Sequence, residues 1–192
     1  MAWSGGKDSS LALGALRADP DIEVVALLTT VTSDYDRISM HGVRREILAA
    51  QVEAIGLPLI EAPIPADADN DTYERSFAGA LDTLQARRPG LWQLAFGDLY
   101  LADVRAYREQ LLSRLGWTPL FPLWGQNTGR LARRFIQQGY RAILTCVDVT
   151  QLDPDFSGRE FDSDLLDDLP DGVDPCGERG EFHTCVYDGP TF

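Results

Sequence analysis

The residues best suited to chemistry lie in one run, Ser4-Gly5-Gly6-Lys7-Asp8-Ser9-Ser10, directly ahead of a stretch with helical character. Glycines let a backbone approach an anion closely, and the start of a helix offers unpaired N–H groups at the positive end of its dipole. Ser4, Ser9 and Ser10 add hydroxyl donors, and Lys7 adds a mobile positive charge. Asp8 by itself opposes an anion, but a carboxylate beside phosphates is a natural Mg²⁺ ligand. The run is not GxxxxGK[ST], which needs Ser or Thr where Asp8 stands, and it is not GxGxxG. A glycine turn with Asp8 or Ser9 capping a helix accounts for the same residues without function. Lys7 is the only lysine among 17 basic residues, and arginine's wide fork does not replace it at a tight anion site.

Further candidates are spread along the chain. Asp98, Asp103 and Arg105 follow a strand ending at Phe96, and ligands of open α/β sheets bind at strand C-terminal ends. Capping by Asp98 and a solvated helix face are the plain alternative. His41 opens a helix and is either a nucleotide or substrate contact or a surface histidine. Trp124 either stacks on a substrate or closes the core. Glu178 and Glu181 stand in a glycine-containing loop, where they could bind ammonium or a cationic substrate, or serve as a base for an attacking amine. Cys176, His183 and Cys185 lack a fourth ligand at a zinc-site spacing, so a structural zinc centre is not expected. Cys176 is then a nucleophile, an amide-transfer residue or a small buried hydrophobe.

The elements that must position these residues alternate in type. Apolar runs at 23–31, 57–64, 92–96 and 140–149 read as strands, with a closing strand at 182–187. Helical periodicity covers 9–17, 43–55, 71–87, 101–115 and 128–138, with a short helix at 164–169. On the helix 43–55 the apolar face reads as Val43, Ile47, Val52 and Ile55, and Gly56 with Pro58 ends it. Strands joined by amphipathic helices imply an α/β fold with a parallel sheet covered on both faces. At 192 residues the chain is one large domain or slightly more, and a soft boundary falls near Gly125. The expected division is 1–125, a nucleotide-type domain, and 126–192, a smaller C-terminal α/β lobe.

Composition narrows the function classes. The formal charge is −13, which removes a global basic footprint for nucleic acid. Residues 153–181 carry eleven acidic side chains against Arg159 and Arg179, a net −9 in one stretch, which points to cationic partners. No apolar run approaches the length of a membrane span and no signal sequence is visible. Three cysteines without CxxC spacing suit a reducing cytoplasm.

The glycine run resembles the PP-loop ATP pyrophosphatases, and the likeness continues well beyond it. Phe121-Pro122-Leu123-Trp124-Gly125, Ser157-Gly158-Arg159, the stretch from Asp174 through Cys176, Gly177 and Glu178 to Thr184, and the ending Tyr187-Asp188-Gly189-Pro190-Thr191-Phe192 resemble the diphthine–ammonia ligase family. Met40-His41-Gly42-Val43-Arg44 and the segment from Phe96 to Arg105 look more like a bacterial-type branch of that family whose substrate is unsettled. The resemblance implies an adenine nucleotide α-hydrolase-like (Rossmann-like) ATP-binding domain carrying a C-terminal substrate lobe. It implies a ligase in which a carboxylate attacks the α-phosphate of ATP, pyrophosphate leaves, and ammonia displaces AMP to give an amide. Transferred residue by residue, it assigns Lys7, Asp8, Glu178 and Glu181 to catalysis, with Asp8 on Mg²⁺. Ser4, Gly5, Gly6, Lys7, Asp8, Ser9, Ser10, Thr29, His41, Gly97 and Asp98 fall to the nucleotide. Asp103, Arg105, Trp124, Cys176, Glu178, Gly180, Glu181 and His183 fall to the substrate.

The chain departs from the family at two kinds of place. Where the ligases typically read Glu-Gly-Gly-Glu-Tyr-Glu, this chain reads Glu178-Arg179-Gly180-Glu181-Phe182-His183, with Arg179 and His183 changed. Only Met1-Ala2-Trp3 precede the loop, where members carry a full strand, so either a start upstream or a truncated strand is expected. The implied partners are ATP, a small or protein-borne carboxylate, and ammonia, with neither nucleic acid nor membrane; a homodimer is compatible with this. The competing reading is a non-catalytic ATP-binding regulator of the same fold. A tRNA-modifying enzyme is disfavoured, because no basic patch or CxxC is present.

Overall fold

The architecture is that of a computed structural model, which describes residues 1–38 and 42–192. In chain order the elements are α1 (Lys7–Ala18), β1 (Leu27–Thr32), β2 (Arg37–Ile38), α2 (Arg45–Ile55), β3 (Leu59–Ile64), α3 (Asn70–Arg87), β4 (Gln93–Ala95), α4 (Ala102–Arg114), β5 (Thr118–Leu120), α5 (Thr128–Gln137), β6 (Arg141–Val147), a 3₁₀ turn (Pro154–Phe156), α6 (Ser163–Asp168) and β7 (Phe182–Asp188). The chain is mixed α/β with small parallel sheets. β1 pairs in parallel with β3 from Leu27 opposite Leu59 to Thr32 opposite Ile64, and β4 pairs in parallel with β5.

The first three residues join these two sheets. Ala2 bridges Leu28 in parallel; Trp3 N donates to Leu28 O (2.7 Å) and Leu28 N to Met1 O (2.8 Å). On the other side Ala2 N donates to Ala95 O at 2.8 Å. The resulting lateral order is β3, β1, residues 1–3, β4, β5. The expected gap in the ladder is therefore filled by three residues.

Period-two alternation sends successive side chains to opposite faces. Leu27 and Ala95 enter one core with Leu11, Leu13 and Leu16 of α1, Leu48 and Ile55 of α2, and the C-terminal elements. Leu28, Leu94 and Phe96 enter a second core with Phe77, Leu81 and Leu84 of α3 and Leu111 and Leu112 of α4. Residues on either side of Gly125 share the first core, since Phe135 of α5 and Val186 of β7 belong to it together with α1. β6 and β7 form a separate antiparallel pair.

Local chemistry explains the boundaries. Asp69 caps α3 by accepting from Thr72 N (2.8 Å), Asn127 caps α5 through Arg130 N (3.0 Å), and Gly56 ends α2 in the left-handed region at φ +74°. Three expectations need correction. The strand expected over 23–31 begins only at Leu27, where pairing to β3 starts. β5 goes unnoticed in the sequence because it is three residues long and contains Pro119, which an edge strand tolerates for want of an N–H to donate. On α2 the buried stripe is Leu48, Gln51 and Ile55, while Ile47 is 41% exposed. Among the described residues no helix is long and apolar enough to cross a membrane.

Phe135 shows how the C-terminal segment is anchored. It is fully buried, stacks on Tyr140 with centroids 5.0 Å apart, and meets Phe161 edge-on at 5.5 Å. Phe135→Ala is expected to cost about 3–5 kcal/mol, the usual range for a buried aromatic cut to alanine. Urea denaturation checks it; a loss under about 1 kcal/mol would mean that this cluster does not anchor the segment.

Candidate functional site

The glycine run folds as the entry into α1. Gly5 adopts φ +76°, open to glycine, and Gly6 is the N-cap without any side-chain cap. Gly6 O gathers Ser9 Oγ (2.8 Å), Ser10 N (3.1 Å) and Ser10 Oγ (3.1 Å), which winds the first turn tightly. Ser4 Oγ lies 3.2 Å from Ser9 Oγ and accepts weakly from Gly6 N at 3.3 Å. The first turn of a helix leaves its N–H groups without intrahelical partners, so this entry is a cluster of donors.

The far end of the chain walls this loop. Val186 N of β7 donates to Gly5 O (2.9 Å), and Lys7 N donates to Thr184 Oγ1 (3.1 Å). A Cβ added at Gly6 would stand 3.1 Å from Thr184 O, so the backbones lie nearly in contact. Gln51 of α2 completes the support: its Nε2 donates to Gly5 O (3.0 Å) and Val186 O (2.7 Å), and its Oε1 accepts from Trp3 Nε1 (3.1 Å).

Lys7 is only 3% exposed. Its ammonium donates to Asp8 Oδ2 at 2.8 Å and to the carbonyl of Cys176, and it lies near the rings of Phe161 and Phe182. Asp8 Oδ1 is buried and has no hydrogen-bond partner among the described residues. Burial opposes the Lys7 charge, but the Asp8 carboxylate outweighs it, and the lysine is held above its ordinary value. Burial pushes the Asp8 carboxyl upward, with Lys7 opposing.

The segment 174–181 runs from this lysine to the loop between β4 and α4. Glu178 Oε1 accepts from Leu99 N (2.8 Å) and, more weakly, Tyr100 N (3.4 Å), in the loop between β4 and α4. Burial pushes its carboxyl up to about 7, with these two amides pulling the other way. Glu181, 1% exposed, accepts from Asp174 N and Arg179 N, both at 2.9 Å, and so ties the segment into a closed loop. Gly180 adopts φ +85° inside that loop. Cys176 Sγ donates to Thr128 O (3.3 Å), and burial pushes its thiol up to about 12, so it is not poised as a nucleophile. His183 is partly buried, and burial followed by the Lys7 charge lowers its imidazole.

The β4–α4 loop supplies the remaining residues. Gly97 packs on the α1 entry so closely that a Cβ would stand 2.9 Å from the carbonyl carbon of Asp8. Asp98 does not cap α4, whose N-cap is Leu101; it forms a bidentate pair with Arg108 at 2.6 and 3.1 Å. Arg105 lies 4.9 Å from the Phe121 ring and 4.7 Å from the Trp124 ring, with its Nε on Glu109 (2.7 Å). Asp103 is exposed in the first turn of α4. Thr29 on β1 is 3% exposed, and its hydroxyl has no partner. His41 lies outside the described residues. Three contributors went unnoticed in the sequence: Gln51, Thr184 and Arg108. Only Gln51 leaves a trace there, as a polar residue in step with Leu48 and Ile55.

Among the described residues no group of three or more His, Cys, Asp or Glu gathers as a metal centre. A shallow groove of about 680 Å³ lined by Glu74, Tyr107, Gln110 and Arg114 on α3 and α4 includes none of the predicted site residues. At the strand ends the α1 entry, the β4–α4 loop and segment 174–181 meet.

A mixed α/β chain with small parallel sheets and a glycine-rich helix entry at their strand ends makes an arrangement that can hold an anion. Comparison with known proteins sharpens that reading. The family model for the diphthamide synthase N-terminal domain matches residues 1–119, and that for the diphthamide synthase C-terminal domain matches 127–192. A diphthine–ammonia ligase of Rattus norvegicus is 30% identical over 216 residues, covering 98% of this chain and 78% of that protein. One of Mus musculus is 29% identical over 215 residues with the same coverages. One of Schizosaccharomyces pombe is 28% identical over 206 residues, covering 98% of this chain and 34% of that longer protein. The chain belongs to the diphthine–ammonia ligase family, an enzyme family of the ligase class.

Glu178 generates a pH prediction. Its carboxyl sits at about 7 in the folded protein against 4.5 as reference, so the folded state binds the extra proton between those values. Its contribution to stability is therefore fully present below about 4.5 and is lost as pH rises through about 7. Glu178→Gln keeps an acceptor for Leu99 N and removes the titration. Denaturation of both proteins from pH 4 to 8 should show the variant gaining on the parent as pH rises; a constant difference would refute the assignment.

Proposed function

We propose that the chain is an ATP-dependent amide ligase that adenylates a carboxylate and passes the acyl group to ammonia, releasing pyrophosphate and AMP. The observation that carries this reading is the meeting of Lys7 and Asp8 at the α1 entry with Glu178 at the β4–α4 loop. Lateral strand order supports an adenine nucleotide α-hydrolase-like, Rossmann-like domain over 1–125. With the short antiparallel β2 set aside and the other strands numbered by chain position, the lateral order is third, second, first, fourth, fifth, and the order reverses between residues 1–3 and β4, where ligands of such sheets bind. Residues 126–192 then form the substrate lobe.

In this reading the Gly5–Gly6 turn, the hydroxyls of Ser4, Ser9 and Ser10, and the Lys7 ammonium hold the leaving pyrophosphate. Thr29, Gly97 and Asp98 fall to the nucleotide, and the family resemblance alone assigns His41 to it. The unpartnered Asp8 Oδ1 fits Mg²⁺ carried by the nucleotide, an ion that usually takes one or two carboxylates plus phosphate oxygens. When bound, that ion would neutralise charge on the phosphates.

A carboxylate oxygen of the substrate attacks the α-phosphorus, and the bond to the pyrophosphate oxygen breaks. Donors fixed at the helix entry stabilise that leaving group without reorganising. Ammonia then attacks the acyl carbon, the C–O bond to AMP breaks, and the nitrogen gives up a proton. Glu178, with its carboxyl near 7, is matched to accept a proton at neutral pH. Glu181 acts through the loop it closes, and Gly180, Cys176 and His183 line the same lobe. Arg105, near the rings of Phe121 and Trp124 and with its Nε on Glu109, offers its remaining N–H groups to a substrate anion, and Asp103 lies in the same helical turn. Diphthine is the first carboxylate to try, since it is named in the relatives.

The test incubates the protein with ATP, Mg²⁺, ammonium and candidate carboxylates and resolves AMP from ADP. AMP with pyrophosphate is the expected outcome, and ADP as sole product would sink the reading. Asp8→Asn should lower AMP formation about 100-fold or more while leaving the circular dichroism spectrum intact. Unchanged turnover removes Asp8 from the mechanism.

A further inference from the structure

The glycine loop has an orienting side chain that lies outside it in sequence. Gln51 is 4% exposed, on the buried face of α2, and every polar atom of its amide is engaged. Its orientation follows from its partners. Trp3 Nε1 can only donate, so Oε1 faces it; the carbonyls of Gly5 and Val186 can only accept, so Nε2 faces them. A Cβ at Gly5 would stand 2.6 Å from Gln51 Oε1, so the amide fills the space beneath the loop.

The consequence concerns one peptide plane. The described chain has no cis peptide bonds, so the C=O of Gly5 and the N–H of Gly6 point in opposite directions. Gly5 O is held from one side by Gln51 Nε2 (3.0 Å) and Val186 N (2.9 Å). The Gly6 N–H is thereby turned away from Gln51, and among the described residues its contact on that side is the long one to Ser4 Oγ at 3.3 Å. Glycine at both positions would otherwise let this peptide flip, presenting a carbonyl oxygen to an incoming anion.

We infer that Gln51 is the positioning residue of the pyrophosphate subsite, fixing the Gly5–Gly6 peptide so that the Gly6 N–H faces the bound phosphates. This rests on the proposed ATP reading of the loop. Gln51 touches no reacting atom; it acts through Gly5. Its effect therefore belongs to ligands carrying the β- and γ-phosphates, and AMP binding is independent of it.

The experiment measures dissociation constants of inorganic pyrophosphate, ATP and AMP by calorimetry for the parent protein, Gln51→Glu and Gln51→Leu, with thermal midpoints recorded alongside. An ionised glutamate keeps the shape and the bond to Trp3 but cannot donate to Gly5 O or Val186 O; leucine removes all three bonds. The expected result is a 10- to 100-fold weakening for pyrophosphate and ATP with AMP affinity unchanged, from the loss of about one charge-assisted hydrogen bond. Equal weakening of all three ligands, or unchanged pyrophosphate affinity, overturns the inference. Should both variants fail to fold, the ¹⁵N–¹H resonance of Gly6 in the parent decides. A downfield amide shift on saturation with pyrophosphate supports the orientation, and a resonance that does not move refutes it. Failure of the parent to bind either ATP or pyrophosphate refutes the ATP reading itself, and the inference falls with it.

Discussion

A charged ammonium taken out of water must be matched by oxygen, and Lys7 imposes that requirement on three separate parts of the chain. Its carboxylate partner is the next residue, its carbonyl partner comes from Cys176, and the rings around it come from Phe161 and Phe182. Segment 174–181 has to approach α1 for this to happen, and the same segment then delivers Glu178 to the amides of Leu99 and Tyr100. Burying one lysine thus coordinates the helix entry, the C-terminal loop and the β4–α4 connection. Deleting a partner would leave an unmatched charge, which is more costly than never having buried the pair.

Segment 174–181 shows how an acidic stretch can be ordered rather than merely solvated. Glu181 turns inward and satisfies two backbone amides of its own loop, while Glu178 reaches across to another. The net −9 counted over 153–181 is therefore divided by role. Some carboxylates replace missing backbone partners inside, and others such as Asp168, paired with Arg159 at 2.7 Å, remain at the surface. Total charge described the composition of this region but not its function.

Much of the site was legible because its logic is local. Ser4 to Ser10 read as an anion-binding helix entry since glycine, serine and lysine owe their roles to the backbone immediately around them. The strand–helix alternation was legible for the same reason, down to the end of α2 at Gly56. What escaped depends on distant partners. Gln51 lies in a helix whose apolar members suggested a face through Ile47; the stripe that is buried runs through Leu48, Gln51 and Ile55, because loop and strand carbonyls meet the amide there. β5 escaped since three residues with a central proline carry no periodicity, and only pairing with β4 defines it. The plain alternative for Asp98, a helix cap, does not hold, because Arg108, ten residues on, pairs with it.

The wall that β7 builds against the glycine loop has a consequence in time. Lys7 N and Thr184 are 177 positions apart, and Gly5 O takes Val186 N from farther still. A ribosome emits the loop well before its wall, so the loop stays open on that side until β7 has been made. Contacts of such long range are slow to form and are paid for in loop-closure entropy. The glycine loop therefore gains its wall only after a stretch of about 177 further residues has been made.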